Sequence, residues 1–143
     1  MTMRFVSRAA LTALGVVALS GSAFAHHSFA MFDMTREKQK TITGTIKEFQ
    51  WTNPHGVIWI YVPVAGKPQP ELWAVELTSP GNLRRAGWTK DSLKVGDRVS
   101  AVVNPLRNGG TGGGFQSIKL LDSGKELRQG LTAAPKEAPL APQ

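Results

Sequence analysis

Three histidines are the chain's whole stock of imidazole, and two of them stand side by side: His26, His27 and, in the segment WTNPHG, His55. Cleavage after Ala25 would make His26 the first residue of the processed chain and free its α-amine. An α-amine titrates near about 7.7–8.0 and an imidazole near about 6.5, so both surrender protons to a metal around neutral pH. The amine with the His26 ring, or the amine with an ionised amide and the His27 ring, forms a nitrogen clamp suited to square-planar Cu(II). His55 could complete the set. Zinc suits so few nitrogens less well, and Asp33 is the nearest carboxylate in sequence. The plain alternative is a leader without fixed contacts, as chain termini usually are.

A second set of residues could hold a ligand by stacking and hydrogen bonding. Trp51, Asn53 and His55 share one loop, and Arg107 and Asn108 open the glycine-rich stretch RNGGTGGG. Glycines let backbone amides close on an anion, and an arginine fork pairs with carboxylate, phosphate or sulfate. No GK[ST] follows and no helix begins there, so this is no nucleotide-binding phosphate loop. Trp59 and Tyr61 alternate along one strand, and a regular hairpin puts Trp73 beside them. Three rings on one face could stack a sugar, a base or a quinone-like ring, at about 1–3 kcal/mol per stacked base. The bland counterparts are rings turned into the core and a glycine loop that is merely flexible.

Catalytic constellations do not emerge. With no cysteine there are no disulfides, thiol nucleophiles, cysteine zinc sites or iron–sulfur clusters. Ser28, Ser79, Ser92 and Ser100 lack a convincing base partner, and neither GxSxG nor HExxH occurs. Glu48, Glu71 and Glu76 fall on strands, and Glu76 takes the face opposite Trp73, Val75 and Leu77, so no acid pair can be argued from spacing. The expectation is a protein that is not an enzyme.

The elements that must position these residues are mostly strands. Residues 41–49 (TITGTIKEF) alternate β-branched and polar types, with Gly44 suggesting a bulge or sharp bend. After the turn-forming WTNPHG, residues 57–64 run apolar on both faces, and 71–77 make a third strand through a hairpin. Ser79 can cap a short helix, Pro80 suits its first turn, and Gly87 can take the left-handed closing conformation, with Trp88 folding back over that end. Residues 93–103 hold a Gly-Asp turn and a fourth strand, 104–114 a loop and 115–121 a fifth strand. The order β-β-β-α-β-β is that of the OB-fold, a five-stranded Greek-key barrel; a small β-sandwich ranks second, because it wants more strands and no capped helix. The predicted core is Ile42, Ile46, Ile58, Ile60, Val62, Val75, Leu77, Val99, Ala101, Val103, Ile118 and Leu120.

The chain has 143 residues, enough for one domain with a modest core. Arg4 and Arg8, an apolar run from Ala9 to Leu19 and the small residues closing at Ala25 read as a secretory signal peptide, too short and too rich in alanine and glycine to span a membrane. The domain plan is therefore a signal at 1–25, a leader at 26–38, the barrel at 39–128 and an Ala/Pro-rich disordered tail at 129–143, with no transmembrane anchor after cleavage. Without the signal, 15 basic side chains face 10 acidic ones, a net charge of +5. That excess suits an anionic envelope component, while the scatter of the basic residues argues against nucleic acid.

The blocks HHSF, TGT leading into EFQWTNPH, a W-x-VE strand, SPGNLRRAGW, LKVGD-x-V and NPLRNG run from about His26 to Gly124. Together they resemble a family of small exported proteobacterial proteins known as a domain of unknown function. The resemblance implies an exported location and supplies no activity, cofactor or site residue. The first reading is thus a periplasmic or secreted, monomeric, non-catalytic binding module for an unknown small molecule or envelope component, its face formed by strands two and three with loops 51–56 and 104–114. The alternative is Cu(II) binding or delivery through His26, His27 and His55. Third stands a domain that docks a protein partner, for which an exposed aromatic patch would be the sign.

Overall fold

The computed structural model describes residues 30–130. Two compact units divide the chain, 1–31 and 32–143, and all the strands of the described residues belong to the second. The expected signal peptide, with His26 and His27, lies outside the described residues, as does the tail from 131 onward.

Among the described residues there are six strands: β1 (Lys40–Gln50), β2 (Val57–Val62), β3 (Glu71–Glu76), β4 (Arg98–Pro105), β5 (Gly112–Leu120) and β6 (Glu126–Arg128). They hydrogen-bond in the order β3-β2-β1-β4-β5-β6, and a parallel pairing of β3 with β5 closes the first five into a barrel. Closure excludes the two-sheet sandwich, and the α-helix Pro80–Arg85 sits between β3 and β4 as the OB-fold plan requires. β6 was not expected. It is a three-residue strand that turns back on β5, placing Leu127 opposite Ile118.

Alternation builds the core. Ile42 and Ile46 of β1, Ile58 and Ile60 of β2, Val75 of β3 and Val99, Ala101 and Val103 of β4 all point inward and are buried. A bulge between Ile46 and Glu48 shifts the parity of β1, so that Phe49 joins the inner face opposite Ile58. The break falls at Lys47, not at Gly44. Gly44 answers to a different need: a Cβ there would stand 2.1 Å from the Tyr61 carbonyl oxygen, so only glycine lets β2 approach so closely.

The helix α1 (Pro80–Arg85) begins and ends as its sequence dictates. Ser79 Oγ accepts from the Asn82 amide at 3.4 Å, Pro80 occupies the first turn, and Gly87 at φ +84° lets the Trp88 amide reach the Leu83 carbonyl at 3.0 Å. Leu83 and Trp88 plug one end of the barrel, where the Trp88 ring meets Phe49 at 5.9 Å and Phe115 at 5.5 Å. Val62 and Leu120, expected in the core, only pack partly against it, while Phe32, Trp73, Leu83, Trp88, Leu93, Phe115 and Leu127 belong to it in addition. Phe32 comes from the expected leader. It pairs with Leu106 in an isolated bridge, and its ring lies against Gly114.

Candidate functional site

The outer face of β1, β2 and β3 can be read in rows from the strand register. One row runs Gln50–Val57–Glu76, the next Glu48–Trp59–Ala74, the third Thr45–Tyr61–Leu72. Because β5 pairs in parallel with β3, the first two rows continue to Gly114 and Gly112. Trp59 therefore stands beside two small residues, Ala74 and Gly112, and Leu106 closes over Gly112 from the far side. Lys47, the bulge residue, holds its ammonium 5.8 Å from the Trp59 ring centroid. The Trp59 indole N–H is shielded from solvent and has no acceptor among the described residues. Tyr61, 40 % exposed, continues the same face.

At one end of this face the loop of residues 51–56 folds back toward β3. Gly56 and the strand end exchange backbone bonds, Gly56 donating to Thr78 at 3.2 Å and Leu77 donating to Gly56 at 2.8 Å. That fixes His55, whose Nδ1 lies 2.5 Å from Glu76 Oε1. Glu76 was expected on the face opposite Trp73 and is found there; its role as partner to His55 was not foreseen. Asn53 is exposed and joined to Pro54 by a cis peptide bond. Trp51 turns away from this face. It meets Phe49 edge-on at 5.6 Å, and the Arg84 guanidinium lies 5.9 Å from its ring centroid, so it belongs with the aromatics beneath α1.

Two expectations about the ligand face are corrected. Trp73 pairs with Ile60, whereas Trp59 pairs with Ala74, so alternation sends Trp73 into the core and Trp59 outward. One residue of register separates the two outcomes. The glycine-rich stretch is not an anion cradle either. Gly109 donates to the Leu106 carbonyl, Gly110 to Asn108 Oδ1 at 2.9 Å and Gly112 to the Gly110 carbonyl, so these amides are spent inside the turn. Asn108 is the acceptor that shapes that turn. Gly112, Gly113 and Gly114 are strand residues at the barrel closure, and a Cβ on Gly113 would stand 2.6 Å from the Asn104 carbonyl oxygen. Close packing between β3 and β4 demands them.

Arg107 is exposed and acts on Asp33, contributing to a lowered pKa whose largest cause is the hydrogen bond from the Thr35 side chain, followed by that from the Thr35 amide. Asp33 in turn donates its amide to the Pro105 carbonyl at 2.8 Å. Nearby, the side chain of Asn104, 1 % exposed, accepts from Gln39 Nε2 at 3.2 Å and donates to Met34 Sδ at 3.3 Å. Segment 32–39 is thus bound across β4 by a buried amide.

Among the described residues no group of three or more His, Asp or Glu side chains is gathered to hold a metal, and no helix is long and apolar enough to cross a membrane. No curated protein and no solved structure matches the chain. A family model does, from residue 13 to residue 116, a stretch that takes in β1 to β4, α1 and both loops of the candidate face. The chain belongs to that family, described as a family of unknown function, DUF6152.

Proposed function

We propose that the protein is an exported, non-catalytic binding module that holds a ring-bearing ligand against the outer face of β2 and β3. The observation that carries this reading is Trp59. It projects from the barrel beside Ala74 and Gly112, with Lys47 over its ring and its indole N–H unpartnered. Small neighbours leave room for a planar group to lie along the indole. Tyr61 extends the surface and the His55–Glu76 pair bounds it with an imidazole and a carboxylate. Native mass spectrometry of protein purified from its own host tests this directly. A bound small molecule retained by the wild type, and lost by Trp59→Ala that keeps the wild-type circular dichroism at the temperature of the measurement, supports the reading. A ligand-free protein under those conditions, or a ligand retained by the variant, overturns it.

His55 favours a second reading, Cu(II) binding at the processed amino terminus. With Nδ1 engaged by Glu76, its Nε2 is left as an oriented nitrogen donor, the arrangement that carboxylate partners give metal-binding histidines. Calorimetry should then show submicromolar Cu(II) binding that an extra residue ahead of His26 abolishes. Equal affinity for both forms sinks it.

A further inference from the structure

A groove of about 470 Å³ lies on the far side of the barrel from Trp59, over β4, β5 and β6. Its floor is one row of the register, Val102 of β4, Ser117 of β5 and Arg128 of β6. A bulge between Val102 and Val103 adds Gln116 to that row, and segment 36–39 contributes Arg36 and Gln39 as the opposite wall. Apart from Val102 every lining side chain is polar, and two are guanidinium groups.

Several of these donors make no bond to another side chain among the described residues. Ser117 is 9 % exposed, yet its hydroxyl has no hydrogen-bond partner among the described residues, and the same holds for the Gln116 amide and the Arg36 guanidinium. Arg128 spends one nitrogen on Glu126 Oε1 at 2.6 Å, which fixes its fork and leaves its other donors unused. Gln39 is held in place through Nε2 by the buried Asn104. Donors gathered with a local charge of two arginines against one glutamate are what an oxyanion requires.

We infer that this groove is a binding site for a phosphate group, taken as free phosphate, as a phosphate monoester or as a lipid headgroup. Arg36 and Arg128 grip the charge from two sides, and Ser117 and Gln116 donate to the remaining oxygens from the floor. The groove is several times larger than the anion, so it accommodates the group to which the phosphate is attached. The site is independent of the Trp59 face, which is built on other strands.

Amide chemical shifts of isotope-labelled protein, titrated with inorganic phosphate at constant ionic strength, test the assignment. Saturable shifts are expected at Gln116, Ser117 and Arg128. Arg36→Gln should weaken binding by about tenfold or more, as expected for one charge-assisted hydrogen bond, while the exposed Lys90→Gln leaves it unchanged. Ser117→Ala keeps the charge and should still weaken binding several-fold, which diffuse attraction to a basic surface would not do. In a parallel arm, vesicles of phosphatidylglycerol are sedimented with each form. Saturable phosphate binding assigns the group to solution; vesicle binding that Arg36→Gln and Ser117→Ala both reduce assigns it to a headgroup. Shifts that never saturate together with vesicle binding indifferent to both variants, or a site in which Ser117→Ala changes nothing, overturn the proposal.

Discussion

His55 Nδ1 lies 2.5 Å from Glu76 Oε1 and so ties the loop after β1 to the end of β3. A carboxylate can only accept, so the ring must carry its proton on Nδ1 at that contact, leaving Nε2 as the open nitrogen. Nitrogen shifts of the imidazole should report the Nδ1–H tautomer in the neutral ring, and Glu76→Gln should abolish that preference. The stability lost should stay within about 1 kcal/mol, because both side chains retain roughly a quarter to a third of their exposure, 31 % and 26 %. An Nε2–H tautomer in the wild type contradicts the geometry.

Two tryptophans separate face from core. Trp73 is 8 % exposed and Trp59 only partly covered. Trp73→Ala should cost about 3–5 kcal/mol and Trp59→Ala less than about 2 kcal/mol. Chemical denaturation of both variants measures the difference, and equal losses would place both rings inside.

What could be read from the residues was whatever local periodicity or capping expresses. The alternation of TITGTIKEF, the trio Ser79, Pro80 and Gly87, and the order of the elements gave the barrel without knowledge of any long-range contact. Register is another matter. Eight residues, 63–70, separate β2 from β3, and nothing in them says whether Trp73 meets Ile60 or a neighbour one place along, yet that single step decides core or face. The glycines at 112–114 misled for a related reason: glycine marks both a flexible turn and a strand pressed against another backbone, and only the partner strand distinguishes them. Phe32 carried no periodic signal at all, since its burial depends on Gly114, more than 80 positions away in the chain.

Glycines provide an opposed pair of expectations. Gly44→Ala places a methyl group 2.1 Å from the Tyr61 carbonyl oxygen, backbone that cannot yield without parting β1 from β2, and should destabilise by about 3 kcal/mol. Gly81 lies within α1, where a Cβ would meet nothing nearer than Ser79 Oγ at 3.9 Å. Gly81→Ala should therefore stabilise by about 0.5–1 kcal/mol through helix propensity and a more restricted unfolded chain. Thermal melts of the two variants should move in opposite directions.

Acid should loosen segment 32–35 before it reaches the barrel. The Thr35 side chain and amide hold Asp33 below its ordinary value of 3.8, with the Thr35 amide 3.1 Å from Oδ1. A carboxyl whose pKa is lower folded than unfolded stabilises fully above the unfolded value, and the effect is lost as pH falls through the folded one. The protection factor of the Thr35 amide, corrected for the intrinsic pH dependence of exchange, should be unchanged from neutrality down to about pH 4 and fall relative to the barrel amides only below it. Asp33→Asn should remove that acid step, and a step persisting in Asp33→Asn would assign it to another carboxyl.

Three strands' worth of the barrel end are sewn together by residues that follow β6 or close it. Trp88 Nε1 donates to the Arg128 carbonyl at 2.8 Å, while Gln129 accepts from the Thr78 amide at 2.8 Å and donates to the Phe115 carbonyl at 3.1 Å. One short peptide thereby joins the chain just after β3 and the body of β5 to the tryptophan that plugs the core. Trp88→Phe keeps most of the ring but strands the Arg128 carbonyl, and Gln129→Ala strands a donor and an acceptor together; each should cost about 1–2 kcal/mol. Because both act on the same peptide, their effects should not add. A double-mutant cycle should return a coupling of at least about 0.5 kcal/mol, and strict additivity would mean that residues 128 and 129 are held separately.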